Sequence, residues 1–220
     1  MGALRARTVL LSGSNRGIGL GLVKQLLAAP KPPLWIFASC RDPEGPRAQE
    51  LRDLASKHPN LVLLKLDVAN PVSVTEAARI VERKMNGSGL NLLINNAAIY
   101  TPTASLAVVD AEDMMRTYET NTVGPMLMAQ AFLPLLKKAA QESTEKGLSC
   151  SKAAIINISS VMGSIERTPA TFLKPVISYR CSKADLTVET SVQGLLSVLP
   201  ILSEKHNGTL LNWEGKAIPW

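Results

Sequence analysis

Cysteine is scarce in this sequence and forms no pattern. Cys40, Cys150 and Cys181 are odd in number and show neither CxxC nor Cys/His ligand spacing, which argues against a disulfide framework, a zinc site or any other metal centre. The expected setting is reducing and cytoplasmic. No apolar run approaches the ~20 residues that cross a bilayer. The stretch Met1–Arg7 leads into a strand without the apolar core and cleavage site of a signal peptide. No membrane partner is expected, and the Asn-x-Ser/Thr triplets at Asn86, Asn157 and Asn207 are not read as glycosylation sites. The formal net charge is +6, but Lys and Arg are scattered and no aromatic-interleaved basic stripe appears, so nucleic acid is not an expected partner. A solvated basic surface accounts for the charge, and an anionic cofactor suits it. Internal repeats and low-complexity tails are also lacking.

What is present is enough apolar material for a core: 220 residues at 46% hydrophobic suit one α/β domain over 1–220 better than two. Short β-rich runs alternate with longer amphipathic stretches, the rhythm of a parallel sheet with crossover helices. Strands are predicted at Thr8–Ser12, Leu34–Ser39, Leu61–Leu66, Leu92–Asn95 and Ala153–Ser159, several of them nearly continuous apolar runs, as when helices cover both faces. Helices are predicted near 16–29, 46–57, 72–86 and 111–140. Pro30-Lys31-Pro32-Pro33 ends the first and Asn86-Gly87-Ser88-Gly89 the third. The polar stretch Gln141–Lys152 reads as an exposed loop.

Ser12-Gly13-Ser14-Asn15-Arg16-Gly17-Ile18-Gly19 follows the first strand and opens the first helix. Small residues there let the backbone approach an anion, and a helix N-terminus offers free N–H groups and the positive end of a dipole. A turn serving only tight packing is the plainer alternative. The spacing G-x-x-x-G-x-G differs from the common G-x-G-x-x-G fingerprint. It resembles the T-G-x-x-x-G-x-G turn of short-chain dehydrogenases/reductases, with Ser12 for Thr. The second strand ends in Cys40 followed by Arg41, where an NAD enzyme carries a carboxylate for the ribose hydroxyls. A guanidinium there meets a phosphate through two parallel hydrogen bonds, and Arg16 can approach the same group, so NADP(H) is the expected cofactor. Asp42 could reach the ribose or pair with Arg41. By resemblance Asp67-Val68 flanks the adenine, although an Asp there could instead cap the helix after Asn70-Pro71.

Tyr179-Arg180-Cys181-Ser182-Lys183 gives Tyr-x-x-x-Lys, whose i,i+4 spacing puts both side chains on one helix face. The ammonium is expected to lower the phenol pKa from its reference near ~10, making tyrosine a usable proton donor. Ile155–Ser160 reads as a buried strand ending in hydroxyls where an open parallel sheet presents its crevice. Resemblance makes Ser160 the carbonyl-polarising serine, with Ser159 the alternate and a turn-capping serine the bland reading of both. Residues 161–178 form a longer loop between Ser160 and Tyr179 than most relatives carry. Leu93-Ile94-Asn95-Asn96-Ala97-Ala98 resembles the family's Asn-Asn-Ala-Gly turn, with Ala98 for Gly. Asn121-Thr122-Val123-Gly124-Pro125 resembles the helix segment whose asparagine holds a water behind the lysine, and a structural role for Asn121 stays open.

Five motifs in order on the right elements identify the chain as resembling the short-chain dehydrogenase/reductase family over residues 8–184, resuming near Leu186, and its ending resembles the sniffer/C-factor-like carbonyl reductase branch. The resemblance implies a Rossmann-like doubly wound parallel sheet in the order 3-2-1-4-5. It also implies hydride exchange between NADP(H) and a small carbonyl or alcohol substrate. The catalytic residues would be Asn121, Ser160, Tyr179 and Lys183. The cofactor would meet Gly13, Asn15, Arg16, Gly17, Ile18, Gly19, Arg41, Asp67, Val68, Asn96, Ala97, Tyr179 and Lys183. Relatives often dimerise through the helices around Asn121 and Tyr179, which leaves a homodimer open. One departure stands out: after Ala184 the family's longer catalytic helix, sixth strand, Pro-Gly turn and substrate loop have no counterpart. A spliced or deleted form, or a sequence closed up over an omitted segment, would each produce this gap. The second function class is therefore an NADP(H)-binding or interaction protein without turnover, and a third is an unstable isoform.

Overall fold

The computed structural model describes residues 4–101, 106–147, 149–163, 177–180, 182, 199, 202–207, 209–212 and 214–218. Five parallel strands, β1 (Thr8–Leu11), β2 (Trp35–Cys40), β3 (Leu61–Lys65), β4 (Leu92–Asn95) and β5 (Ala154–Asn157), form one sheet in the order β3-β2-β1-β4-β5. The predicted strands and order are those observed, with ends shifted by one or two residues.

Each crossover is helical: α1 (Gly17–Ala28), α2 (Gln49–Lys57, entered through a 3-10 turn at Pro46–Ala48), α3 (Pro71–Met85), then α4 (Ala111–Tyr118) and α5 (Gly124–Glu142). Alternation along the strands divides the core in two. Val9, Leu11, Ile36, Ala38, Leu92 and Ile94 pack with Leu22, Val23 and Leu26 of α1 and Leu51 of α2 on one face. Leu10, Phe37, Leu64 and Leu93 pack with Val74, Ala77 and Val81 of α3 and Met128, Phe132, Leu135 and Leu136 of α5 on the other. Burying one face against each helix layer fixes register, since a slip by one residue would exchange the two faces.

Two expectations are corrected. The single helix over 111–140 is interrupted at Glu119–Val123 by a π-helical turn, and α5 then runs on to Glu142. The stretch 141–152 is not wholly an exposed loop: Glu142 accepts a hydrogen bond from the Gly89 N–H at 3.1 Å, and Cys150 lies in the core at 3% exposure. Its polar neighbours hid that anchor, and burial pushes the Cys150 thiol up to about 11. Cys40 and Cys150 are both free thiols, while Cys181 and residues 183–198 lie outside the described residues.

At the far edge of the sheet β5 is partly buried on one side and exposed on the other. Ala154, Ile156 and Ile158 pack against the α1-side core, whereas Ile155 and Asn157, pointing to the α5 side, are exposed. No described helix is long and apolar enough to cross a membrane.

Candidate active site

The C-terminal ends of β1, β2 and β4 meet around the glycine turn. Gly13 and Gly17 have φ of +68° and +56°, the left-handed region that favours glycine. A Cβ on Gly13 would stand 2.8 Å from Ala97 Cα, and one on Gly19 would overlap the Gly13 carbonyl oxygen. The turn is thus compressed against the segment after β4. Ser12 fixes it there: its Oγ accepts from the N–H groups of Asn96 and Ala97, both at 3.0 Å. Asn96 completes the clamp, with Nδ2 donating to the carbonyls of Ser12 and Gly13 at 2.9 and 3.0 Å. Ser14, buried, is tied to Leu11 O and to Ser39 O. Asn96 and Ala97 therefore brace the turn from behind, and Ser12, which sequence reasoning treated only as a stand-in for Thr, is the hub of the bracing.

The other side of the turn is open. Apart from its chain neighbours and the backbone of its own helix, no atom lies within 4 Å of where a Gly17 Cβ would point. Arg16, extended at the N-cap of α1, makes no side-chain cap, and the first turn of α1 contains no acidic residue. By contrast α3 is capped by Asn70, which accepts from Ser73 N, and α4 by Asp110, which accepts from Asp113 N. An uncapped helix start with its positive dipole end on a glycine turn fits the pyrophosphate of a dinucleotide.

Beyond β2, Arg41 and Arg16 are exposed. Asp42 turns back into its own loop, its Oδ1 accepting from Gly45 N at 3.0 Å. Arg52 holds that loop from α2 through the carbonyls of Pro43 and Gly45. The carboxylate adjacent to Arg41 is thus engaged locally. Asn15, on the turn, reaches the Arg47 carbonyl at 3.5 Å. After β3, Asp67 Oδ1 accepts from Ala69 N at 3.1 Å, so the α3 cap is Asn70 and not Asp67. Val68 is buried against Gly124 at the start of α5. Ile18, in the first turn of α1, is partly buried against the core.

Of the catalytic candidates, Asn121 lies on the π-helical turn. Asn121 is buried; its Oδ1 accepts from Ile99 N at 2.9 Å, and its Nδ2 donates to Ile99 O at 3.0 Å and Ser182 Oγ at 2.6 Å. Tyr179 lies on α6 (Ile177–Arg180), with its ring edge-on to Tyr100 at a centroid distance of 4.7 Å. Ser160 sits past the end of β5 before a 3-10 turn at Val161–Gly163; its Oγ accepts from Met162 N at 3.3 Å. That is the turn-capping geometry, with the second Oγ lone pair and the hydroxyl hydrogen still available to another group. Ser159 is exposed. Lys183 lies outside the described residues, but Ser182, its neighbour, is held by Asn121. Tyr100 and Ser182 carried no motif signal. Among the described residues no group of three His, Cys, Asp or Glu is placed to hold a metal ion.

Comparison with known proteins agrees with this geometry. The family model described as short chain dehydrogenase matches residues 7–195. The NADPH-bound carbonyl reductase from chicken fatty liver is 47% identical, with 99% of this chain and 100% of that one covered and a TM-score of 0.92. The carbonyl reductase Sniffer of Drosophila melanogaster is 33% identical, with 98% and 100% covered and a TM-score of 0.90. An oxidoreductase of Schizosaccharomyces pombe is 28% identical over 250 residues, covering 96% of each chain. That alignment is longer than the 220 residues present here, so the yeast protein carries residues with no counterpart in this chain.

Proposed function

We propose a function from one premise: this chain belongs to the short-chain dehydrogenase family, a family of oxidoreductases. The finer reading is a cytoplasmic, single-domain NADP(H)-dependent reductase of small carbonyl compounds, working also in the alcohol direction. One observation carries it: a glycine turn braced by Ser12 and Asn96 under an uncapped, acid-free start of α1, with the Asp42 carboxylate accepting from Gly45 N in its own loop. Such a site accepts an anionic dinucleotide, and Arg41 with Arg16 favours one bearing an extra 2′-phosphate. The similarity to an NADPH-bound carbonyl reductase supports the same cofactor.

When bound, NADP(H) supplies or accepts the hydride. The chain's own part in reduction is polar. Ser160 hydrogen-bonds the carbonyl oxygen, Tyr179 donates its phenolic proton to that oxygen as charge develops, and Lys183 favours the phenolate that remains while binding the nicotinamide ribose. Asn121 holds the Ser182 turn beside them and anchors the proton relay. A second reading, nucleotide binding without turnover, applies if the residues that the yeast relative has and this chain lacks include part of the catalytic half. We place that gap after Ala184, where the sequence leaves the family pattern.

The test is NADPH oxidation by the purified chain with a reactive dicarbonyl, followed by loss of cofactor absorbance, with Tyr179→Phe alongside. Loss of a proton donor should lower kcat ~10²–10⁴-fold. Equal turnover by parent and Tyr179→Phe contradicts the assignment of Tyr179. NADPH binding with no turnover in either selects the second reading.

A further inference from the structure

We infer that Tyr100 is a positioning residue for Tyr179, holding the proton donor's ring at the angle from which it meets a carbonyl oxygen. This rests on the catalytic reading of Tyr179 given above. The two rings meet at 4.7 Å between centroids and 76° between planes, the edge-to-face arrangement that the aromatic quadrupole favours. Such a contact resists rotation of either ring about its Cβ–Cγ bond, because turning brings faces or edges of like partial charge together.

One amide reaches the chain on both sides of the contact. Asn121 grips Ile99, the residue before Tyr100, through both its N–H and its carbonyl, and the same side chain donates to Ser182, three residues after Tyr179. The π-helical turn that carries Asn121 thus sets the distance between the two tyrosines. Tyr100 itself is 56% exposed, so its ring is not there to fill the core, and its removal leaves both hydrophobic clusters intact. Its contact with the Tyr179 ring is the part of it that the protein uses.

Isotope-labelled tyrosine gives three ring signals, from Tyr100, Tyr118 and Tyr179, and Tyr179→Phe identifies the one that matters. Tyr100→Ala should shift and broaden the Tyr179 signal by removing the neighbouring ring current, whereas Tyr100→Phe, which keeps the ring, should restore it. In turnover, Tyr100→Ala should lower kcat ~10–10²-fold with KM for NADPH unchanged, since small misplacements of reacting groups act at the chemical step. Tyr100→Phe should recover most of that loss. A Tyr179 signal unmoved by Tyr100→Ala overturns the proposal, and so does a kcat that Tyr100→Ala leaves unchanged while Tyr179→Phe abolishes it. Failure of the catalytic reading looks different: Tyr179→Phe turns over as the parent does, although the signal shift persists. In a chain without turnover the signal comparison decides alone.

Discussion

At the scale of single residues, the glycine turn depends on side chains that hydrogen-bond its backbone. Asn96 gives its amide to the Ser12 and Gly13 carbonyls, so Asn96→Ala leaves two acceptors of a compressed turn without their donor. The expected cost is ~1–3 kcal/mol, seen as a lower urea midpoint, together with weaker NADPH binding. Unchanged stability would mean that the turn holds itself. The asparagine was legible from its place after the fourth strand, but its orientation was not: a motif gives the residue and omits which way the amide points. Ser160 shows the same limit, since a strand-end hydroxyl can cap a turn and face a substrate at once. Tyr100 was invisible because a ring contact between residues 100 and 179 exists only once the chain has folded. Asp42 was ambiguous in sequence, and Gly45, three residues on, resolves it into a local turn.

At the scale of elements, the alternating strands and their helices were readable because the two periodicities differ and Gly and Pro mark the joints. The interruption of the 111–140 helix was not, because Glu119–Val123 keeps a helical pattern while its hydrogen bonding widens to the π form. Such a bulge releases backbone groups and recurs at functional sites; here it presents Asn121 to Ile99 and Ser182. The join between β1 and α1 is the most constrained. A methyl at Gly19 would overlap Gly13 O and stand 2.7 Å from Asn96 Nδ2, displacing backbone and clamp together. Gly19→Ala should cost ~1–3 kcal/mol by overpacking, a fall of roughly 2–12 °C in Tm for a chain of this size, and should lower NADPH affinity by more than its effect on stability would suggest. A normal Tm with normal affinity would show that the turn has slack.

At the scale of the whole molecule, the nucleotide half and the catalytic half stand on different footings. The sheet from β3 to β4 is covered on both faces, but β5 leaves Ile155 and Asn157 exposed on the α5 side. We propose that a segment absent after Ala184 would cover that face. Inserting the corresponding segment of a full-length relative after Ala184 should therefore raise dicarbonyl turnover ~10²-fold or more, through better positioning, while NADPH affinity changes little. Equal turnover in the two chains would show that the segment is dispensable. The glycine turn and the proposed adenosine site, in contrast, lie within residues 8–98, so their binding is tested without reference to the gap. The most direct measurement is calorimetric titration of the 220-residue chain with NADPH and NADH, repeated for Arg41→Ala. The account predicts tighter binding of NADPH than of NADH, and a ~10–10²-fold loss for NADPH alone on removing the guanidinium, as charge-assisted contacts of ~1.5–3 kcal/mol require. Equal affinities for the two nucleotides in the parent chain, or an Arg41→Ala loss shared by both, would contradict it.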